Sequence, residues 1–305
     1  VPVQMLYDIV RKLPDDAEIS FKQSGDQLVV SSGRAVFRLP TLPAENFPAI
    51  AGSNLTTKFQ MTTGDLAHLI NQTKFAIPTD DVRYHLGGIY FHISDEGKEK
   101  MLTAVATDAQ RMALCAMPAP AGSVEMPSVI LPRRVIGELS KLLEDATVDD
   151  VMVELSDTKA RFVIGAATLT SKLVDAQYPN YRVVIPKGND KIAILDRKQF
   201  LNAVDLVSVA SVDKTKSVQL TFSMNKLVVN ASSPDAGTAT QELDIEYNGD
   251  SSFTVVFNVK FLMDVASQVE GEKFQMEMQD PLSPTIIKST DKNTDALFVL
   301  MPMRM

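Results

Sequence analysis

A single cysteine, Cys115, in 305 residues excludes a disulfide framework and fits a reducing cytosol. Three histidines (His68, His85 and His92) share no metal-ligand spacing with each other or with the cysteine, so neither a metal nor a cofactor is expected. There is no phosphate-cradling loop, because Gly97-Lys98 lacks both the upstream glycine and the following hydroxyl residue. No nucleophile-elbow pattern occurs either. The pairs Asp80-Asp81 and Asp149-Asp150 lie in polar, turn-like contexts and read as solvated surface. Cys115 sits in a mixed apolar run and reads as buried filler. No apolar run approaches membrane-spanning length and the opening residues carry no leader, so a cytoplasmic location is expected. The glycosylation patterns at Asn54, Asn71 and Asn230 are then matches by chance. The net charge of −8 argues against a uniformly basic coat, though not against a basic stripe.

What the chain has in quantity is repetition. Residues 3–13 place Leu6, Ile9, Val10 and Leu13 at helical spacing, and strand-like runs follow at Glu18–Phe21, Gln27–Ser31 and Ala35–Leu39. The pattern returns with a leading strand added: Thr57–Met61, a helix near 63–76, then Ile89–Ile93, Leu102–Ala106 and Met112–Met117. A third copy has Ser128–Leu131, a helix that Pro132 opens, and strands at Val151–Leu155, Ala160–Ile164 and Thr168–Val174. The fourth runs from Lys191–Leu195 through a helix capped by Asp196 to strands at Val218–Phe222, Lys226–Asn230 and Ala239–Ile245. The fifth has Phe253–Phe257, a helix capped by Asn258, and strands at Phe274–Met278, Thr285–Lys288 and Ala296–Met301. A repeat of this kind predicts an α+β fold of β-α-β-β-β units. One unit cannot bury both its helix face and its sheet face, so the units are expected to pair.

Two copies of one phrase mark the seams between pairs. Leu39–Ile50 carries Phe47-Pro48 where Ser171–Lys187 carries Tyr178-Pro179. Domains are therefore expected at 1–55, 56–186 and 187–305, the first being half of a pair with its leading unit absent; a natural five-unit protein is the alternative. The predicted helices hold nine basic and seven acidic residues, so they are weakly positive in a negative chain. That pattern fits phosphate contact on a helix layer, and it equally fits the good helix propensity of arginine and lysine. The terminal run Phe298–Met305 stays apolar, either finishing a sheet over core or flanking a groove with adaptable methionines.

Asp81-Val82-Arg83-Tyr84, Ala106-Thr107-Asp108, Thr170–Asp175, Phe257-Asn258-Val259 and Met301-Pro302-Met303-Arg304 together carry a resemblance. The chain is similar, from end to end, to the beta subunit of bacterial DNA polymerase III, the sliding clamp. The resemblance implies clamp-type domains in a homodimeric ring, with helices lining the interior and sheets outside. It implies a processivity factor that is not an enzyme, encircling duplex DNA without reading sequence. It would tether the polymerase alpha subunit, the clamp loader, and other polymerases and repair proteins through short peptides.

Carried over by position, the peptide pocket falls on Leu86, Thr107, Arg111, Met112, Pro179, Val183, Val184, Asn258, Phe261, Val299, Met301, Pro302, Met303 and Arg304. DNA contact falls on Arg11, Lys12, Tyr84, His85, Arg133, Arg134, Lys141, Arg197, Lys198 and Lys260. The dimer interface falls on Phe37, Leu39, Val209 and Ala210. The chain departs from the family at Asp80, His85, Ala109-Gln110, Met112 and Val183. Two other classes remain conceivable on the residues alone. A hydrolase would have only Asp108, Arg111 and His85 to work with, and no nucleophile beside them. An adhesive repeat protein would normally carry a leader and no helix-face positive charge.

Overall fold

The structure, a computed structural model, describes residues 1–46, 55–80, 82–96, 99–211, 216–291 and 295–304. Phe47-Pro48 of the first seam phrase, Asn54, Asp81, Gly97-Lys98 and Met305 lie outside the described residues. The chain divides into two compact units, Val1–Ser53 and Asn54–Met305.

The first unit has one helix, α1 (Val3–Arg11), and a three-stranded antiparallel sheet of β1 (Ser20–Ser24), β2 (Gln27–Ser32) and β3 (Ala35–Pro40). The first strand lies two residues later than the expected Glu18–Phe21. A hairpin through Gly25, at φ +60°, pairs Ser24 with Gln27 and extends the strand up to the turn.

The second unit contains the other four repeats. The first of these is β4 (Thr57–Thr62), α2 (Thr63–Thr73), β5 (Gly88–Glu96), β6 (Glu99–Thr107) and β7 (Arg111–Pro118). Next come β8 (Val129–Pro132), α3 (Arg133–Glu144), β9 (Asp150–Leu155), β10 (Lys159–Ile164) and β11 (Ala167–Lys172). The following repeat is β12 (Lys191–Asp196), α4 (Arg197–Ser208), β13 (Ser217–Ser223), β14 (Lys226–Ser233) and β15 (Gly237–Asp244), with a short β16 (Glu246–Tyr247) after it. The last is β17 (Phe253–Asn258), α5 (Val259–Gln268), β18 (Lys273–Met278), β19 (Thr285–Ser289) and β20 (Ala296–Leu300).

Two details of the second unit also depart from expectation. Pro132 ends β8 and occupies the N-cap of α3, at ψ 145°, so Arg133 is the first helical residue. The run Ala239–Ile245 breaks at Ile245, because Ile245 N–H bonds back to Asn225 while Glu246 and Tyr247 turn away to pair with β12. The caps fall where the sequence puts them. Asp196 accepts from Gln199 N–H at 2.8 Å, and Asn258 accepts from Phe261 N–H at 3.2 Å.

The repeats pair by exchanging their leading strands. β4 joins the sheet of the third repeat (Thr57 opposite Leu155), and β8 returns to the second (Gly88 opposite Pro132). In the same way β12 pairs with β18 and β17 with β13. Each helix then covers apolar strand faces, as Leu66, Leu69 and Ile70 do from α2 and Phe200, Val204 and Val207 from α4. β20 lies antiparallel to β7, Val299 opposite Met112, and this fuses two sheets into one of nine strands. Among the described residues no helix is long and apolar enough to cross a membrane.

Candidate functional site

The β7–β20 junction has a face of its own. Leu86, Met112 and Val299 are almost fully buried there, with Val105, Ile130, Tyr178 and Tyr181, in a cluster apart from the main core. Above them opens a groove of about 290 Å3. Its floor is Leu86, Met112 and Val299, and one wall is Pro179 with Val183 and Val184, which are 76% and 46% exposed. Met301 and Thr107 close the other sides. Exposed valines over an aliphatic floor make a surface suited to apolar side chains.

A tight turn between β6 and β7 shapes one end. Asp108 Oδ1 accepts from the N–H groups of Gln110 and Arg111, both at 3.0 Å, and Ala109 adopts φ +72°. The same turn sets Arg111, which is 7% exposed. Its guanidinium donates to Asp108 at 3.1 Å, to Asp264 on α5 at 2.5 Å and to the Phe75 carbonyl at 2.8 Å. It also lies over the rings of Phe75 and Phe261, at 5.1 and 4.7 Å. Arg111 is therefore a joint between the second and fifth repeats, with its charge met on both sides.

On the far side of Arg111 lies a second depression of about 450 Å3, charged where the first is apolar, with Lys74, Arg83, Arg133 and Lys260 among its lining. Arg83 bonds Asp80 at 2.7 Å and holds that carboxyl below its usual range.

Of the residues assigned to the pocket from sequence, nine line the apolar groove: Leu86, Thr107, Arg111, Met112, Pro179, Val183, Val184, Val299 and Met301. Asn258 instead caps α5, and Phe261 lies under Arg111 on the charged side. Pro302, Met303 and Arg304 continue past the groove, where Met303 N–H bonds the Val256 carbonyl at 2.8 Å. Reasoning from sequence had Ala109 only as a departure from the family, and it missed Asn180 and Tyr181 in the lining, and Asp264 and Phe75 around Arg111. It also missed the ring column Tyr90–His92 behind the wall. The signal for that column was present as alternation, since residues two apart on a strand share a face.

The basic residues fall into a pattern. Arg133-Arg134 begin α3, Arg197-Lys198 begin α4, and Lys260 is second in α5; none of these helices has an acid in its first turn. Cations at the positive end of a helix cost about 0.3–1 kcal/mol each, so helix propensity does not explain their position. They reinforce an end that already attracts anions. Arg197 is tied down, donating to the Gly271 carbonyl at 3.0 Å, and Lys141 sits beside Glu138 at 3.3 Å. Arg11 ends α1 and Lys12 caps it. Tyr84 is 64% exposed in a short 3-10 turn, with His85 edge-on to it. Of the residues assigned to the dimer interface, Val209 is exposed and Phe37 half-buried, whereas Leu39 and Ala210 are buried within their own units.

These features define a binding protein with an apolar groove and cationic helix ends, and the comparisons name its kind. The N-terminal, central and C-terminal domains of the DNA polymerase III beta subunit match residues 1–51, 60–180 and 182–304. The beta sliding clamp of Caulobacter vibrioides is 42% identical over 99% of this chain and 81% of its own length. That of Escherichia coli K12 is 35% identical over 100% and 81%. A sliding clamp from Bartonella birtlesii, solved bound to griselimycin, superposes with a TM-score of 0.90 at 40% identity, covering 100% of this chain and 81% of that one. The Pseudomonas aeruginosa beta subunit gives 0.85 at 34%, with the same coverage. The chain belongs to the bacterial DNA polymerase III beta-subunit family, the sliding clamps. It is a replication processivity factor, and the family is a non-catalytic accessory subunit of the polymerase.

Proposed function

We propose that this clamp tethers its partners by seating a short peptide in the groove over Leu86, Met112 and Val299. The observation that carries this reading is an apolar groove of about 290 Å3 over Leu86, Met112 and Val299, flanked by Val183 and Val184, which are exposed. The ligand is a segment with a glutamine and a few large apolar side chains, presented by the polymerase alpha subunit, the clamp loader, and other polymerases and repair proteins. The clamp works in the cytoplasm as a homodimeric ring built from domains at 1–55, 56–186 and 187–305, and Val209 and Phe37 offer the accessible part of the subunit contact. Duplex DNA passes the helix ends at Arg133, Arg134, Arg197, Lys198 and Lys260. Contact is with phosphates, so it is independent of sequence and compatible with sliding. Lys141, Tyr84 and His85 add further DNA contacts, Arg11 and Lys12 do so within the first unit, and Asn258, Phe261, Pro302, Met303 and Arg304 extend the peptide site beyond the groove itself.

Burying three apolar side chains at about 1.5–3 kcal/mol each, less the cost of ordering the peptide, gives an affinity around micromolar. Deleting Met301–Met305 removes one wall of the groove and is expected to abolish binding of a labelled peptide of this kind, measured by fluorescence anisotropy. Undiminished affinity would place the peptide elsewhere.

A further inference from the structure

The groove's exposed wall is a short turn. Tyr181–Val184 is a single 3-10 turn without a side-chain cap, and its Val183 N–H reaches the Asn180 carbonyl only at 3.4 Å. A single 3-10 turn takes much of its position from what it packs on.

Behind it stand four rings in a row. Tyr90 and His92, two apart on β5, share one face of that strand. Tyr178 stacks on Tyr90 at 4.6 Å and 5° between planes, and Tyr90 stacks on His92 at 4.7 Å and 19°. Tyr181 meets His92 edge-on at 5.6 Å and 80°. Tyr178 and Tyr181 straddle Pro179-Asn180, so the column grips the segment on both sides of the groove-lining proline. The grip is internal: Tyr178, Tyr181 and His92 are 5–7% exposed, while Val183 in the same segment is 76% exposed.

One polar link runs through the column. His92 Nδ1 lies 3.3 Å from the Thr103 carbonyl oxygen, which can only accept, so the proton of the neutral ring is on Nδ1. Nε2 is then an acceptor, and the Tyr181 hydroxyl donates to it at 3.0 Å. Burial holds the ring neutral, drawing its pKa down to about 4, with the nearby Arg182 charge acting the same way and the Thr103 bond opposing.

We propose that His92 is a positioning residue for the groove: its bond to the Tyr181 hydroxyl fixes the turn that presents Val183 and Val184 to an apolar peptide. Resting on the peptide-groove reading, this adds a residue that touches no ligand yet sets the shape of the surface that does.

The test is a cycle of variants read by anisotropy with a short neutral peptide carrying one glutamine, two leucines and a phenylalanine. His92→Phe keeps a ring in the column and removes the acceptor; Tyr181→Phe keeps the ring and removes the donor. Each is expected to weaken the peptide about tenfold, and the double variant no more than either single one. His92→Gln, which can return an acceptor near the Nε2 position, is expected to stay within about threefold of the parent. Unchanged affinity in both Phe variants, multiplicative losses in the double, or a Gln variant as weak as the Phe variant would overturn the assignment, whatever happens to thermal stability. Val184→Asp, on the groove surface itself, separates the two readings. If it abolishes binding while the Phe variants do not, His92 has no positioning role and the groove stands; if it changes nothing, the groove reading falls and this inference with it.

Discussion

The first and fourth repeats share a helix followed by three strands and have very different interiors. α1 buries no residue, and Val3, Met5 and Tyr7 along it are more than half exposed. α4 buries Phe200, Ala203, Val204 and Val207. The sheets follow suit: β1 is exposed throughout, whereas β13 alternates with Val218, Leu220 and Phe222 turned in. Amphipathic patterning is present in both, so the pattern by itself does not make a core. The fourth repeat also has β17, lent by the fifth, along its sheet, and α5 beside its helix. Burial here is a property of a pair of repeats.

The sharpest way to break that comparison is to remove the same kind of side chain from each. Phe200 is fully buried and meets Phe274 edge-on at 5.2 Å. Phe200→Ala is expected to cost about 3–5 kcal/mol in urea unfolding followed in the larger unit, combining lost transfer energy with an unfilled cavity. A loss below about 1 kcal/mol would mean that the pair can collapse into the gap, and that exchange of strands does not fix the core as rigidly as its burial implies.

Acid separates the units next. All three histidines lie beyond residue 54, and burial drives the pKa of His92 down, to about 4 from 6.5. The unfolded chain therefore takes up this proton first as pH falls. The stability linked to His92 is full above about pH 6.5 and is lost progressively towards pH 4, reaching about 3 kcal/mol. The groups facing the ring are the Thr103 carbonyl, the Tyr90 ring, the Tyr181 hydroxyl and the Arg182 guanidinium. Carboxylates held low by arginines, Glu154 by Arg161 and Asp80 by Arg83, begin to add losses towards the acid end of this window and below it. Subtracting the pH–stability curve of His92→Phe from that of the parent isolates the histidine's share. No difference in slope between pH 6.5 and 4 would show that the ring does not titrate on folding.

Much of this was legible beforehand, for definite reasons. Helices repeat at 3.6 residues and strands at two, so five similar units appear in the apolar pattern, and capping residues such as Asp196 and Asn258 announce where helices begin. Exchange of leading strands was not legible, because Thr57–Thr62 has the same pattern whichever sheet it joins. Nor was the distinction between lining and support in the groove. Phe261 and Met301 are both large and apolar, and only packing puts one under Arg111 and the other on the groove. In the column, alternation on one strand links Tyr90 to His92, but no local rule brings Tyr178 or Tyr181 to them from a distant stretch of the chain. Arg111 illustrates the limit from the other side: its place in the pocket followed from the resemblance, while its bond to Asp264, 153 residues on, required the fold.

The smallest effect belongs to the first unit. Ile9 lies on the inward stripe of α1 yet remains only half-buried, beside a depression that also takes in Met5, Leu13 and Phe37. Truncating a side chain that is already partly hydrated forfeits only the area it covered and leaves no closed cavity, since water fills the space. Ile9→Ala is therefore expected to shift the unfolding of residues 1–46 by less than about 1 kcal/mol, set against several for Phe200→Ala in the paired repeats. Hydrogen exchange resolved by segment measures both in one sample, because amides of α1 and α4 report their own local opening free energies. Protection in α1 as high as in α4, falling by several kcal/mol on Ile9→Ala, would show that something covers this helix in solution. The contrast between the first and fourth repeats would then have to be withdrawn. Low protection in α1, little changed by the substitution, would locate the molecule's stability in its strand-exchanged pairs.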